Sequence, residues 1–149
     1  MSVARNSDEQ GVPLLTELAT KLPLHVVGGA LVPGARNLGV VSDETLRAEY
    51  AGAAFLFFPV AAELFGYAVA EALACGTPVL GFRSGGPAEQ IQDGESGWLV
   101  TTAREAVNRS LAVFQAGVPA EMRLAARRAA ERFSIPGSAR ALLASLKPG

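Results

Sequence analysis

Two glutamates, Glu63 and Glu71, stand eight positions apart around a Phe-Gly step. The apolar run over 53–60 has the length of a strand, and the alanine-rich segment after Gly66 predicts a helix. The N-terminus of such a helix offers backbone N–H groups and positive dipole charge to an anion such as a diphosphate, and glycine permits close approach. Each carboxylate can accept hydrogen bonds from vicinal hydroxyls. The stretch therefore favours a ligand with a diphosphate and two diols, which describes a sugar nucleotide.

A simpler interpretation of each acidic residue has to be weighed. A glutamate on a helix is most often a solvated surface residue, so the spacing alone is weak and gains force only from the strand, glycine and helix around it. A second element, Gly85-Gly86 followed by Glu89, has two open interpretations. It is either part of the same site or simply a turn that starts a helix.

Composition limits the class of protein. The chain has 149 residues, half of them hydrophobic, which suits one domain with a core of ordinary size. With 18 % charged residues and a formal net charge of −1, no nucleic-acid or membrane-surface partner is indicated. No apolar run reaches the ~20 residues of a spanning helix. We expect a cytoplasmic protein without a transmembrane segment, and its one cysteine rules out an internal disulfide.

Strand and helix patterns alternate along the chain, which predicts an α/β fold: a Rossmann-like parallel sheet with helices on both faces. Strands are predicted over 2–5, 24–27, 37–41 and 53–60, and two further strands are predicted to end at Phe82 and Val100. Helices are predicted over 12–22, 42–52, 103–115, 120–133 and 139–146, and another is predicted to begin at Phe65-Gly66. Ser42 is the predicted N-terminal cap of the helix over 42–52. Ligands of such sheets bind at the carboxyl ends of the strands. One link is anomalous, because only about nine residues separate the second and third strands, where a parallel crossover usually needs a dozen. Either that crossover is an irregular loop or the two strands do not pair in the usual order.

Familiar nucleotide motifs are missing. The glycines over 28–34 lack the dinucleotide spacing, and no Lys followed by Ser or Thr completes a phosphate-binding P-loop. No side chains have metal-ligand spacing, so we expect no metal and no cofactor.

The stretch over 58–100, FPVAAELFGYAVAEALACGTPVLGFRSGGPAEQIQDGESGWLV, closely resembles the donor-binding half of the group 1 (family 4) retaining glycosyltransferases of the GT-B fold. The Glu-x7-Glu element, the GxPV strand, the Gly-Gly-x-x-Glu turn and the D-G-x-x-G-x-L-V ending occur in the same order. A weaker likeness covers 3–11, 37–44 and 125–134.

The resemblance implies metal-free transfer of a sugar from a UDP, GDP or ADP sugar to an acceptor, with retention at the anomeric carbon. It implies that Glu63 binds hydroxyls of the donor sugar, Glu71 binds the ribose hydroxyls, and Arg5 neutralises the departing diphosphate. It assigns sugar and diphosphate contacts to the backbone of Leu64, Phe65, Gly66 and Tyr67, and base contacts to Gly39, Val40, Val41 and Leu46.

Three departures from the family pattern stand out. Gln10 replaces the usual lysine of the phosphate loop, and Ala4 replaces the glycine before the arginine. The crossover before residue 37 is shortened. Residues 1–149 correspond to the donor domain alone, and the N-terminal acceptor domain is absent from them. We therefore expect an acceptor-binding domain or subunit to be needed for turnover.

Other functions stay open. A non-catalytic nucleotide-sugar-binding or interaction module derived from such an enzyme is favoured by Gln10. An epimerase or phosphorolytic enzyme of the same fold is disfavoured by the lack of a lysine setting for pyridoxal and by the specific Glu-x7-Glu context. A nicotinamide-dependent oxidoreductase is disfavoured by the failed glycine motif.

Overall fold

A computed structural model describes residues 2–3 and 11–133 of the chain. The strands in these residues are β1 (Ser2–Val3), β2 (His25–Val27), β3 (Arg36–Gly39), β4 (Leu56–Phe58), β5 (Val79–Phe82) and β6 (Gly97–Val100). The helices are α1 (Val12–Ala19), α2 (Asp43–Gly52), α3 (Tyr67–Ala74), α4 (Gly85–Gln90), α5 (Ala103–Ala116) and α6 (Ala120–Glu131). The predicted α/β alternation is confirmed, and no helix among the described residues has the length and apolarity to cross a membrane.

Every strand pair is parallel. Hydrogen bonds join β1, β2 and β3 in that order, and β4, β5 and β6 in that order. β1 also lies beside β4, so the strands follow the order β3-β2-β1-β4-β5-β6 of a doubly wound sheet. The loops that leave the carboxyl ends of all these strands therefore collect at one edge of the sheet.

Helices cover both faces of the sheet, as predicted. Leu15 of α1 and Val107 of α5 pack into one apolar core, while Tyr50 of α2, Leu73 of α3 and Ala126 of α6 pack into the other. β4 contributes to both cores because successive side chains point to opposite faces: its first and third residues join the second core, and its middle residue joins the first. This two-sided burial explains why the segment is Phe-rich without alternation.

The short crossover is an irregular loop over 28–35, and β2 and β3 pair directly. The side-chain amide of Asn37 holds this loop in place of a helix. Its Oδ1 accepts from the N–H of Val32 at 2.9 Å, and its Nδ2 donates to the carbonyl of Val32 at 2.9 Å. Of the two possibilities that the sequence left open, the irregular loop is therefore confirmed. The pairing of β2 with β3 shifts its register between Val26 and Val27.

Several predicted boundaries were wrong. The third strand ends at Gly39 instead of residue 41, because Gly39 adopts a φ of +67° that interrupts the extended backbone. The strand predicted over 53–60 is only three residues long, and the helix predicted over 120–133 ends at Glu131. The predicted cap at Ser42 is confirmed, since its hydroxyl accepts from the N–H of Thr45 at 3.2 Å. The helix predicted over 139–146 lies outside the described residues.

Candidate functional site

The loop over 59–66 carries the chain from the carboxyl end of β4 into α3. Gly66 caps α3 with a φ of +80°, a left-handed conformation that a side chain would strain. The first N–H groups of α3 have no partner further along the helix, and they point toward the sheet edge where the other strands end. The predicted helix start at the Phe-Gly step is therefore confirmed, and it lies where a doubly wound sheet binds its ligands.

The Gly-Gly pair at the start of α4 is packed against this loop. The N–H of Gly86 donates to the carbonyl of Glu63 at 2.9 Å. A Cβ added at Gly86 would lie 2.2 Å from the carbonyl oxygen of Leu64, and one added at Gly85 would lie 2.5 Å from that of Glu63. No side chain fits in either place. The packing role of both glycines is thus clear, while Glu89 is an exposed residue of α4.

Two side chains strengthen the same junction. The amide of Gln90 donates to the carbonyl of Phe65, and Gln90 itself is buried. The hydroxyl of Ser84 donates to the carbonyl of Ala61. Sequence reasoning missed both residues, because neither glutamine nor serine has a pattern that marks such a contact. Ser84 therefore holds the loop near its start, and Gln90 of α4 holds it near its end.

Glu63 presents its carboxylate from this clamped loop. Its backbone carbonyl is engaged by Gly86, and its side chain is half-buried. Within residues 11–133 that carboxylate makes no hydrogen bond or ion pair. Both of its oxygens can therefore accept hydrogen bonds from a ligand.

Apolar and aromatic side chains surround the start of α3. Leu64 is 96 % exposed and Tyr67 is 70 % exposed. The ring of Phe65 packs edge-on against Tyr67 at 5.0 Å and against Phe133 at 5.9 Å between ring centroids. This cluster orders Phe65 and Tyr67 while it leaves a largely uncovered apolar surface beside the loop.

Glu71 lies one turn into α3 and is anchored from α2. The hydroxyl of Tyr50 donates to its Oε2 at 3.0 Å. Tyr50 is buried, and burial followed by the negative charge of Glu71 raises the pKa of the phenol far above its ordinary value. The phenol therefore stays protonated and donates to an exposed carboxylate. Sequence reasoning did not mark Tyr50 as part of the site.

The predicted base contacts that follow β3 lie at the same edge of the sheet. Val40 is 90 % exposed and Val41 is half-buried, both in the link that follows β3. Leu46 is packed against the core that α2 and α3 share. Arg5 lies outside the described residues. Among the residues that are described, no group of three potential metal ligands occurs.

The profile of the family described as "Glycosyl transferases group 1" matches residues 10–115, which is more than half of the chain. The chain belongs to the group 1 glycosyltransferases. Its fold agrees with that of solved GT-B glycosyltransferases at low sequence identity. A glycosyltransferase from Rickettsia africae superposes with a TM-score of 0.79 at 20 % identity, over 97 % of this chain and 45 % of that one. Anabaena HepE, solved in complex with UDP and glucose, gives a TM-score of 0.75 at 23 % identity, over 97 % and 47 %.

Curated glycosyltransferases are similar to this chain over part of their length. A D-inositol 3-phosphate glycosyltransferase of Nocardioides sp. is 41 % identical over 88 residues, which cover 59 % of this chain and 19 % of the relative. A GDP-mannose-dependent alpha-mannosyltransferase of Corynebacterium glutamicum is 32 % identical over 108 residues, which cover 66 % and 26 %. The chain thus spans about a fifth to a quarter of these relatives and just under half of the solved neighbours.

One group 1 motif has a structural role in this chain. In the D-G-x-x-G ending, Asp93 accepts from the N–H of Leu99 at 3.0 Å and from the guanidinium of Arg83. Burial acts to raise the pKa of Asp93, but these two donors outweigh it and hold the pKa below its ordinary value. A Cβ added at Gly97 would lie 2.0 Å from the carbonyl oxygen of Val79, so this glycine permits β6 to pair with β5.

Proposed function

We propose that residues 1–149 form the donor-binding domain of a retaining glycosyltransferase. The domain binds a nucleotide-diphosphate sugar, and the sugar passes to an acceptor held elsewhere. The observation that carries this proposal is the clamped loop over 59–66. It holds the carboxylate of Glu63, which has no partner within residues 11–133, beside the N-terminus of α3 at the carboxyl edge of the sheet.

The surroundings of Glu63 and Glu71 suit each of them to bind a different part of the ligand. Glu63 accepts hydrogen bonds from hydroxyls of the donor sugar, because both of its oxygens are available within the described residues. Glu71 accepts from the ribose hydroxyls with the oxygen that Tyr50 does not use. Tyr50 thus acts as a positioning residue that holds the carboxylate in one orientation before the ligand arrives.

The diphosphate is placed between these two carboxylates. The backbone N–H groups of Leu64, Phe65, Gly66 and Tyr67 lie at the helix start, and the positive end of the α3 dipole attracts the phosphates. Arg5 supplies the fixed cation that stabilises the departing diphosphate. Gly39, Val40, Val41 and Leu46 line the base. With these contacts, transfer requires neither a metal nor a further cofactor.

Exposed apolar side chains at the carboxyl edge support a domain that packs against a partner domain or subunit. Leu31 is 78 % exposed after β2, Val40 is 90 % exposed after β3, and Leu64 and Tyr67 are exposed after β4. An independent binding module would carry polar residues at these positions. An acceptor-binding domain or subunit closing over this edge would cover the apolar residues and complete the cleft.

The proposal is tested by calorimetric titration of the chain with UDP, GDP, ADP and their sugar conjugates. HepE was solved with UDP, and the Corynebacterium relative depends on GDP-mannose. Uridine and guanosine nucleotides are therefore both useful ligands in this titration. One nucleotide diphosphate should bind, and Glu71→Ala should weaken it about tenfold or more, as expected for hydrogen bonds to a charged group. Glu95→Ala removes an exposed glutamate from a distant turn and is the matched control. Absence of binding at millimolar ligand, or equal weakening by both variants, would overturn the proposal.

A second candidate is a nucleotide-sugar-binding module without catalytic activity. It is favoured by Gln10, which leaves the diphosphate with one cation fewer than the family pattern supplies. Such a module binds the nucleotide sugar without consuming it. Sugar transfer measured on mixing the chain with a separately produced acceptor domain of a relative would exclude this alternative. Restoration of transfer only by Gln10→Lys would support it.

A further inference from the structure

The helix α6 packs along α3 in the opposite direction and is attached near both of its ends. Near its start, the guanidinium of Arg123 donates to the carbonyl of Gly76, just after α3, at 3.4 Å. Just after its end, the ring of Phe133 packs edge-on against that of Phe65, just before α3, with the ring centroids 5.9 Å apart. The end of α6 is therefore held beside the loop over 59–66.

A second contact joins the end of α6 to the end of α4. The guanidinium Nη2 of Arg132 donates to the backbone carbonyl of Gln90 at 3.3 Å. The side-chain amide of Gln90 donates in turn to the carbonyl of Phe65. Arg132 also lies over the ring of Phe133, 5.5 Å from its centroid. These residues thus contact one another in a closed circuit, which we name the α6 latch: Phe65, Gln90, Arg132 and Phe133.

Gln90 is an unusual residue for a buried position. It is 1 % exposed, and its Oε1 is buried with no hydrogen-bond partner in the part of the chain that the structure describes. An unpaired buried carbonyl oxygen destabilises the folded state, and an apolar side chain of similar size would avoid it. What the glutamine contributes here is the hydrogen bond from its Nε2 to the carbonyl of Phe65.

The position of Phe65 decides how α3 begins. The hydrogen bonds from Ser84 and Gly86 reach the earlier part of the loop, up to the carbonyl of Glu63. Phe65 follows, immediately before the glycine that caps α3, and it is held by the latch and by the ring of Tyr67. A shift of Phe65 would turn the first N–H groups of α3 away from the edge of the sheet.

We propose that Arg132 and Phe133 are positioning residues for the loop over 59–66. Phe133 holds the ring of Phe65, and Arg132 holds its carbonyl by way of Gln90, so the N–H groups at the start of α3 are oriented before a ligand binds. That this ligand is a nucleotide diphosphate rests on the proposed function. The attachment of the loop to α6 does not depend on it.

Three substitutions isolate the ring contact of the latch. Phe133→Ala removes the ring, and because Phe133 is only half-buried the variant should fold. Phe133→Tyr keeps the ring and should behave as the parent chain does. Phe114→Ala is the matched control, because it removes a phenyl ring that is 44 % exposed on α5, at the other face of the sheet.

Hydrogen exchange tests the latch without any ligand. The side-chain amide of Gln90 is protected while it bonds to Phe65. The reference is the N–H of Leu56, which donates to the residue before β5 at 2.9 Å. In Phe133→Ala, exchange at the Gln90 amide should become about tenfold faster relative to Leu56, as expected when a local contact opens, whereas a general loss of stability would speed both. An unchanged ratio, or the same change in the control variant, would overturn the proposal.

Calorimetric titration with UDP, GDP and ADP separates the role of the latch from the proposed function. The affinity for the nucleotide that binds should fall about threefold to tenfold in Phe133→Ala, as for the loss of one aromatic pair. Phe133→Tyr and Phe114→Ala should keep the parent affinity. If the parent chain binds none of the three nucleotides, the proposed function fails, and the exchange ratio still decides the role of the latch. Binding with equal affinity by the parent chain and Phe133→Ala would overturn the positioning role alone.

Arg132→Met tests the second contact of the latch. Methionine keeps an apolar stem but cannot donate to the carbonyl of Gln90. Arg128→Met removes an exposed arginine one turn earlier in α6, so the two variants have the same charge. Exchange at the Gln90 side chain should be about threefold faster in Arg132→Met than in Arg128→Met. Equal exchange in these two variants would overturn the assignment of Arg132.

Discussion

The hydroxyl of Tyr50 lies 3.0 Å from Oε2 of Glu71 and joins α2 to α3 beneath the carboxyl edge of the sheet. Tyr50 is itself fixed, because it is buried and its carbonyl accepts from the hydroxyl of Thr77 at 2.5 Å. A rigid, buried donor thus holds an exposed carboxylate. The arrangement orients Glu71 before a ligand binds, so less conformational entropy is lost when it does.

Tyr50→Phe tests this positioning role. The ring keeps its packing and Glu71 can turn to water, so the melting temperature should change little. The affinity for the nucleotide diphosphate should fall about threefold to tenfold, because a hydrogen bond of about 1 kcal/mol no longer orients the carboxylate. Calorimetry and a thermal melt of the same sample measure both quantities. If nucleotide affinity is unchanged, Tyr50 only packs and does not position Glu71.

Gly86→Ala should disrupt the clamped loop. The added Cβ would lie 2.2 Å from the carbonyl oxygen of Leu64 and 2.6 Å from the Cα of Phe65, so backbone has to move. We expect a loss of about 1–3 kcal/mol in the free energy of unfolding and loss of nucleotide binding. Chemical denaturation and calorimetry measure the two effects.

Gly52→Ala is the matched control for that substitution. Gly52 closes α2, and a Cβ added there meets nothing within 4 Å. The change should leave the protein as stable as before or slightly more stable, because alanine favours a helix. Equal destabilisation by Gly52→Ala and Gly86→Ala would show that the contact with Leu64 is not the cause.

Much of the fold follows from local sequence signals. The Phe-rich run marked β4, the Ser42 cap marked the start of α2, and Phe65-Gly66 marked the start of α3, because each depends on residues within one or two turns. The predicted boundaries were less accurate where tertiary contacts determine the local backbone structure. Asn37 replaces a helix in the crossover by bonding to Val32, and no pattern in the sequence indicates that pair.

The candidate site was likewise predicted only in part, because some of its contacts join residues that are far apart in the sequence. Glu63 and Glu71 were found from their spacing around the Phe-Gly step, and the structure places them on the loop and the helix as expected. Tyr50 and Gln90 were missed as contributors to the site. Tyr50 is 21 positions from Glu71, and Gln90 is 25 positions from Phe65, so only the assembled fold brings them together.

Cys75 should react slowly with thiol reagents. Burial is the main cause that raises the pKa of its thiol, and the negative charge of Glu71 adds to it, although Arg47 and Arg127 act in the opposite sense. At pH 8 the folded chain should therefore contain less thiolate than an unfolded chain, and only the thiolate attacks. The rate of modification by a chromogenic disulfide, compared with the rate in denaturant, measures this. Equal rates would show that the thiol is neither shielded nor perturbed.

Asp93 should make the stability of the β5–β6 link dependent on pH. Because its pKa is lower in the folded chain than the ordinary value of 3.8, the unfolded state binds the proton first. Its contribution is therefore fully present above about pH 5 and is lost as the pH falls through the folded pKa. Asp93→Asn keeps the size of the side chain and an acceptor for Leu99, but it removes the charge beside Arg83. The melting temperature of the variant should lie below that of the parent chain at pH 7, and the difference should shrink as the pH falls through the folded pKa of Asp93. A difference of constant size from pH 7 into acid would mean that the charge on Asp93 does not contribute to stability.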